Sequence, residues 1–324
     1  MKANQISLKP NPINRHKLKE SFWQRAINDV KKNKVLYLIV SPVVLFYVLF
    51  CYVPMYGVLI AFQRFEPALG VFGSDWVGFD NFKDFFTNIY FWRVLRNTLT
   101  ISLNSIIFGF PAPIILALSI YELTAKRFVK TVQTVTYLPY FISVVVVVGL
   151  IKDFTSSSGI ITQFFSMFGM PMQSMLMDKS LFVPIFIISD IWQGIGWGSI
   201  IYLAALTSIN TELYEACRID GGGRIRQLIT VTLPGIMPTI VILLILRLGG
   251  ILSVGYEKII LMYNEATFET ADVISSFVYR AGLQERNWSF ATSVGLFNSV
   301  INIMVLVGAN YLSRKLTDSE ASLW

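Results

Sequence analysis

Tyr214-Glu215-Ala216-Cys217-Arg218-Ile219-Asp220-Gly221-Gly222-Gly223, followed at a distance by Leu233-Pro234, is a charged island between two long apolar segments, and the rest of the chain is read outward from it. Asn210 can cap the start of a short helix whose first turns carry Glu212 and Glu215, both suited to the positive end of a helix dipole. Gly221 supplies a residue able to take the left-handed conformation that closes such a helix. The pattern predicts an exposed helical docking element. An ordinary polar loop with one amphipathic turn would use the same residues.

Apolar residues make up 54% of the chain and charged residues 15%, at a mean hydropathy of +0.58, whereas a soluble domain carries about 25% charge. The expected class is therefore all-α, a polytopic integral membrane protein. Uncharged runs from Val35 to Phe62, Asn97 to Tyr121, Thr131 to Ile151 and Asn287 to Ser313 each exceed the roughly 20 residues that cross a bilayer as a helix. Two further spans hold one charge each: Leu181 to Leu206 with Asp190, and Ile236 to Tyr256 with Arg247. Six spans put both termini on one side. The chain divides into a basic tail (1–34), a transmembrane domain (35–313) and a short second tail (314–324).

The positive-inside rule says which side that is. Lys and Arg crowd the first 34 residues and recur at Lys126, Arg127 and Lys130, at Arg218, Arg224 and Arg226, and at Arg314 and Lys315. Both tails and the charged island are then cytosolic in a multi-pass protein of a bacterial cytoplasmic membrane. Because the net charge of +7 is concentrated beside the membrane, topology and anionic lipid account for it and no nucleic-acid partner is implied. Phe22, Trp23, Ala26, Ile27 and Val30 have helical spacing and would suit a helix lying on the membrane surface; they would equally suit the solvated start of the first span. The basic lead and the long apolar run do not resemble a cleavable signal peptide, and Met1 to Asn14, with Pro10 and Pro12, is expected to lack structure.

Of two cysteines, Cys51 falls within the first expected span and Cys217 in the cytosolic loop, which predicts no disulfide; the lone His16 lies in the tail. This inventory assembles no metal site, phosphate loop or Ser-His-Asp set, so no catalytic residues and no bound cofactor are expected. Any ATP-driven step belongs to another polypeptide.

Glu215-Ala216 with Asp220-Gly221, and Leu233-Pro234 further on, resembles the "EAA" loop of ABC-type import permeases, through which such a subunit engages its ATPase. Cys217 and Gly222 depart from that pattern, standing where the family usually shows alanine; both are small, and Gly222 would make the turn more flexible. Asp75-Trp76-Val77-Gly78-Phe79-Asp80-Asn81-Phe82 with Asn97-Thr98-Leu99, and Ile191-Trp192-Gln193-Gly194-Ile195-Gly196-Trp197 through Leu206, are similar to segments of maltose-type sugar permeases. Gly255-Tyr256-Glu257-Lys258, Met262-Tyr263-Asn264 and Thr270-Ala271-Asp272-Val273-Ile274-Ser275 resemble the LplB-type branch. The resemblance implies a coupling loop made of Glu215, Ala216, Asp220, Gly221, Gly222, Leu233 and Pro234. It also implies a second homologous permease, an ABC ATPase dimer that binds ATP and Mg, an extracytoplasmic solute-binding protein, and an oligosaccharide substrate derived from complex polysaccharides.

A saccharide crossing the bilayer needs aromatic faces for its C–H surfaces and amides or carboxylates for its hydroxyls. Trp192, Gln193, Trp197, Tyr256, Glu257 and Asn298 are such residues within or near spans. The aromatic ones could equally be interfacial belt residues. Asp190 and Arg247 are charges inside spans, which usually face the interior. They could pair with each other or with the partner permease, or they could gate the path or anchor an acidic sugar. Two other classes are considered, a self-sufficient secondary carrier of sugars and a non-transporting scaffold. The first would call for an internal repeat or several membrane carboxylates, and the second has no need of the coupling-type loop.

Overall fold

The computed structural model describes residues 28–316, so nearly all of the surface-helix pattern around Phe22 and the tail beyond Leu316 lie outside the described residues. The described residues fall into two compact units that divide between Gly57 and Val58. In the first, α1 (Lys34–Tyr47) is followed by a π turn (Val48–Tyr52).

Among the described residues, the second unit holds twelve α-helices of six residues or more. In chain order they are α2 (Asp80–Thr87), α3 (Phe91–Asn104), α4 (Pro111–Tyr121), α5 (Lys126–Tyr137), α6 (Val144–Phe154), α7 (Ile160–Ser166) and α8 (Phe182–Thr207). There follow α9 (Thr211–Ile219), α10 (Leu233–Leu248), α11 (Tyr256–Met262), α12 (Ile274–Tyr279) and α13 (Trp288–Leu316). Two residue pairs, Gln63 with Trp76 and Arg64 with Asp75, make a small antiparallel ribbon of β1 and β2. The all-α expectation holds.

Lys34–Phe62, Phe91–Tyr121, Arg224–Leu248 and Trp288–Lys315 are long and apolar enough to cross a membrane. A fifth crossing is added if the bent pair Lys126–Phe141 and Val144–Phe154 counts as one. Helix α8, 26 residues long, has the length of a span and carries Asp190 and Gln193 near its middle, and it is not among these four. The sixfold count is thus reached only by adding α8 and the broken pair.

Two span expectations are corrected. The third is not a straight helix over Thr131 to Ile151: its arms meet at 101°. Pro139 sits in a 3₁₀ turn (Leu138–Phe141), Ile142 is extended, and Ser143 Oγ accepts from Val146 N (3.4 Å) to start α6 afresh. The fifth ends at Leu248 rather than Tyr256, because Gly249 and Gly250 follow, and Tyr256 opens α11.

Three buried clusters hold the second unit together. Phe182, Phe186 and Ile187 of α8 pack on Ile259 and Met262 of α11. Phe85, Phe91 and Val94 meet Phe277, Phe290 and Val294, joining α2 and α3 to α12 and α13. Ala117, Tyr202, Leu206 and Ile236 join α4, α8 and α10. Between the first and second clusters lies a polar space.

Candidate functional site: a polar cavity and a capped loop helix

That space is a cavity of about 510 Å³ bounded by α3 and the π turn after it, α8, the end of α10 and α11. It brings together Asp190, Gln193, Arg247, Tyr256 and Glu257, five of the polar or aromatic residues singled out in the sequence, and adds Ser102, Ser105 and Lys258. Lys258 stands within the quoted Gly255–Lys258 stretch, where its charge drew no attention because the residue falls past the expected end of the fifth span.

Asp190 and Arg247 do not pair with each other. Lys258 Nζ takes the Asp190 carboxylate at 3.5 Å, and Arg247 Nη2 donates to Ser105 Oγ in the π turn. Lys258 is buried, its ammonium sits 5.1 Å from the centre of the Phe186 ring, and Nζ has no hydrogen-bond acceptor. Gln193 Nε2 donates to Ile142 O (3.1 Å), the carbonyl at the break in the third span. That bond satisfies a backbone group freed by the bend.

Three candidates lie elsewhere. Trp192 faces a separate apolar cavity. Trp197 stacks on Tyr140 with ring centres 4.7 Å apart and planes 5° from parallel. Asn298, on α13, is half-buried with Oδ1 lacking a hydrogen-bond partner, and it does not line the polar cavity. The cavity lining comes from α3 and its π turn, α6, α8, α10, α11 and the segment between α10 and α11, and no residue of α13 is part of it.

At the other end of α8, Asn210 Oδ1 accepts from Glu212 N (3.0 Å) and starts α9. The helix closes with Gly221 at φ +76°, Gly221 N donating to Arg218 O (3.0 Å) and Gly222 N to Cys217 O (2.8 Å). This paired bonding is the Schellman closure, with glycine in the left-handed position. A Cβ on Gly222 would lie 2.6 Å from Cys217 O, so alanine does not fit here and the expected flexibility of Gly222 is instead a steric requirement. Gln227 Nε2 donates to Gly222 O (3.0 Å), and the Tyr214 and Thr232 hydroxyls share a bond (3.1 Å). These tie α9 to the start of α10. Glu215, Ala216 and Asp220 remain exposed, as do Leu213, Ile219 and Ile225, while Leu233 is half-buried and Pro234 exposed in the first turn of α10.

Residues 109–318 match the family model described as "Binding-protein-dependent transport system inner membrane component". The chain belongs to that family. Its members are permease subunits of ABC importers, not enzymes, and the ATPase is a separate subunit. The permease is 42% identical over 294 residues to Protein LplB of Bacillus subtilis (strain 168), covering 90% of this chain and 92% of that protein. It is 41% identical over 299 residues to the polygalacturonan/rhamnogalacturonan transport system permease protein YteP of the same organism, covering 92% and 93%. Among solved structures it is similar to a chain of a bacterial ABC transporter involved in the import of the acidic polysaccharide alginate. The TM-score there is 0.83 and the identity 44%, covering 90% of this chain and 99% of that one. It is also similar, at TM-score 0.83 and 43% identity over 92% of this chain and 99% of that one, to a chain of a bacterial alginate ABC transporter in complex with an alginate pentasaccharide-bound periplasmic protein.

The permease also contains a buried charge cluster centred on Asp272. Asp272, fully buried, accepts from Arg93 Nη2 (2.9 Å), from Arg280 Nη1 and Nη2 (2.7 Å each) and from Ser276 Oγ (2.9 Å). Its carbonyl takes Asn97 Nδ2 (3.0 Å). Burial works against the Arg280 charge, but the bonds from Asp272 outweigh it and raise the guanidinium above its ordinary range. The cluster pins α3 to the segment before α12. Asp272, Ser276 and Arg280 recur at helical i, i+4, i+8 spacing, and Arg93 and Asn97, four residues apart, reach them from a distant part of the chain.

Proposed function

We propose that this permease carries oligosaccharides released from complex polysaccharides across the cytoplasmic membrane, and that the cavity between α3, α8, α10 and α11 is its half of the path. The observation that carries the reading is the convergence of Asp190, Gln193, Arg247, Tyr256 and Glu257 on one space, since polar groups at membrane depth face protein or a water-filled route. The similar proteins named for polygalacturonan and alginate transport support a saccharide cargo.

In this reading the chain crosses six times with both termini cytosolic, its transmembrane domain spanning 35–313. It pairs with a second homologous permease around the path, and a solute-binding protein delivers the sugar. An ATPase dimer that binds ATP and Mg docks on α9, where Glu215 and Asp220 are exposed beside Leu213 and Ile219. Closure of the ATPases then moves α9, and with it α8 and α10, as a rigid body, and the path alternates between inward-facing and outward-facing. The tight caps at Asn210 and Gly221 suit such transmission. A self-sufficient carrier would have no use for an exposed, doubly capped helix at this place.

The test is sugar-stimulated ATPase activity of the purified complex across oligosaccharide concentrations. Gln193→Ala and Tyr256→Ala should weaken stimulation by an amount typical of one or two hydrogen bonds, on the order of 1–3 kcal/mol, with assembly intact. Unchanged stimulation in both variants would place the path elsewhere.

A further inference from the structure

The segment joining α6 to α8 holds no charged residue from Phe154 to Met177, and it is bracketed by Lys152-Asp153 and Asp178-Lys179. A water-facing loop of that length would ordinarily carry several charges, at about one residue in four. Instead its short helix α7 and the turn after it expose Ile160 (71%), Phe164 (54%), Met167 (81%) and Phe168 (74%). α7 has one apolar side, Ile160, Ile161, Phe164 and Phe165, and that side is exposed while the polar Thr162 is buried, the reverse of a helix immersed in water.

Beside α7 lies an apolar cavity of about 860 Å³ whose other walls are α6 and α8, with Leu150, Ile151, Phe165, Ile188 and Trp192 among its lining. No charged side chain lines it. Its two hydroxyl residues are already bonded within the protein, Thr155 Oγ1 to Ile151 O (2.6 Å) and Ser189 Oγ to Phe186 O (2.8 Å). Water needs two to four polar partners to occupy a cavity, and these walls offer almost none. The fitting occupant is a hydrocarbon.

We propose that residues 160–177 sit in the membrane interface and that a phospholipid acyl chain fills the cavity between α6, α7 and α8. The protein is an inner membrane component, and α6 and α8 are arms of its membrane-embedded bundle, so the cavity continues the surface already in contact with lipid. A protein partner would be met by an apolar centre with a polar, charged rim. Here the charges stand only at the two ends of the segment, as they do where a chain enters and leaves the water boundary.

The experiment uses the assembled transporter in vesicles of phosphatidylethanolamine and phosphatidylglycerol, with Cys51→Ser and Cys217→Ser as background. Nitroxides are placed at Phe164→Cys and, where packing is least at risk, at Met167→Cys. Collision rates with oxygen should exceed those with a water-soluble nickel chelate several-fold at both positions, and Ser157→Cys should show the reverse. Preferential collision with the nickel chelate at Phe164 and Met167 would make the segment a water-facing loop, and shielding from both reagents would mean that a protein partner covers it; either overturns the proposal. Narrowing the cavity with Ile185→Trp and Ile188→Trp together should lose one tightly held phospholipid per complex by native mass spectrometry. An unchanged lipid count would empty the cavity of its assigned occupant. These readouts do not depend on which solute the transporter carries.

Discussion

Lys258 Nζ lies 3.5 Å from the Asp190 carboxylate, and the two side chains are unequally buried, 6% exposed for the lysine against 45% for the aspartate. The ammonium has no other anion and no hydrogen-bond acceptor, only the Phe186 ring. Both residues line the cavity, but the carboxylate is the one open enough to be hydrated from it. The two halves of this pair therefore differ in what their loss leaves behind.

Asp190→Asn strands a buried ammonium, and breaking a buried pair in this way costs about 3–5 kcal/mol. Lys258→Met leaves a carboxylate that the cavity can hydrate, and a methionine fills the same apolar volume between α8 and α11. The expected outcome is a marked fall in thermal stability of the purified complex for Asp190→Asn and a small one for Lys258→Met. The double variant Asp190→Asn with Lys258→Met should recover most of the loss. Equal destabilisation by the two single changes would refute the asymmetry.

Gly196 sets how closely α8 approaches the third span. A Cβ there would stand 2.1 Å from Thr136 O, a backbone atom that cannot swing aside. Gly196→Ala should push α5 away, disturb the nearby bend and break the bond from Gln193 to Ile142, costing at least the roughly 1–3 kcal/mol typical of overpacking. Gly194→Ala meets nothing within 4 Å and serves as the control. Yield and thermal stability of the assembled complex should fall for the first and stay level for the second.

Which of these relationships could be read before folding follows from their range along the chain. The cap at Asn210 and the left-handed Gly221 are local, and residue type alone announced them. The run Val144-Val145-Val146-Val147-Val148 looks continuous with Thr131 onward by hydropathy, so the break was invisible. It is made by Pro139 and Ser143 and then held by Gln193, a residue from another helix. Charges inside spans were found because they interrupt apolar runs, yet their partners were not, since Asp190 with Lys258 and Arg247 with Ser105 are contacts between distant segments. Trp192 and Trp197 show the limit of reading an aromatic by type: one faces an apolar cavity and the other stacks on Tyr140.

The loop after α8 separates shape from surface chemistry. Gly221→Val forces a β-branched residue to φ +76°, and Gly222→Ala drives a methyl against Cys217 O, so both should distort the end of α9. Gly223→Ala meets nothing within 4 Å and should be silent. Glu215→Lys leaves the fold alone, because Glu215 is exposed, and reverses only the charge offered to an ATPase arginine. All but Gly223→Ala should abolish transport while the protein still inserts. Only Gly221→Val and Gly222→Ala should also raise the protease sensitivity of the loop. Normal transport by Glu215→Lys in a reconstituted complex would remove α9 from the coupling role.

Topology gives the remaining prediction, and it rests on the distribution of basic residues rather than on any contact. With Cys51 and Cys217 replaced by serine, cysteines at Ser157 and Asn287 should react with an impermeant thiol reagent added to intact cells. Both positions are exposed, Ser157 before α7 and Asn287 before α13. A cysteine at Thr317, which lies outside the described residues, should react only after the membrane is opened. Because α13 is a single helix from Trp288 to Leu316, Asn287 and the region after Leu316 must lie on opposite faces if that helix crosses once. Labelling of both Asn287→Cys and Thr317→Cys from outside would deny that crossing. Labelling of Thr317→Cys alone would invert the orientation and put α9 on the face without ATP.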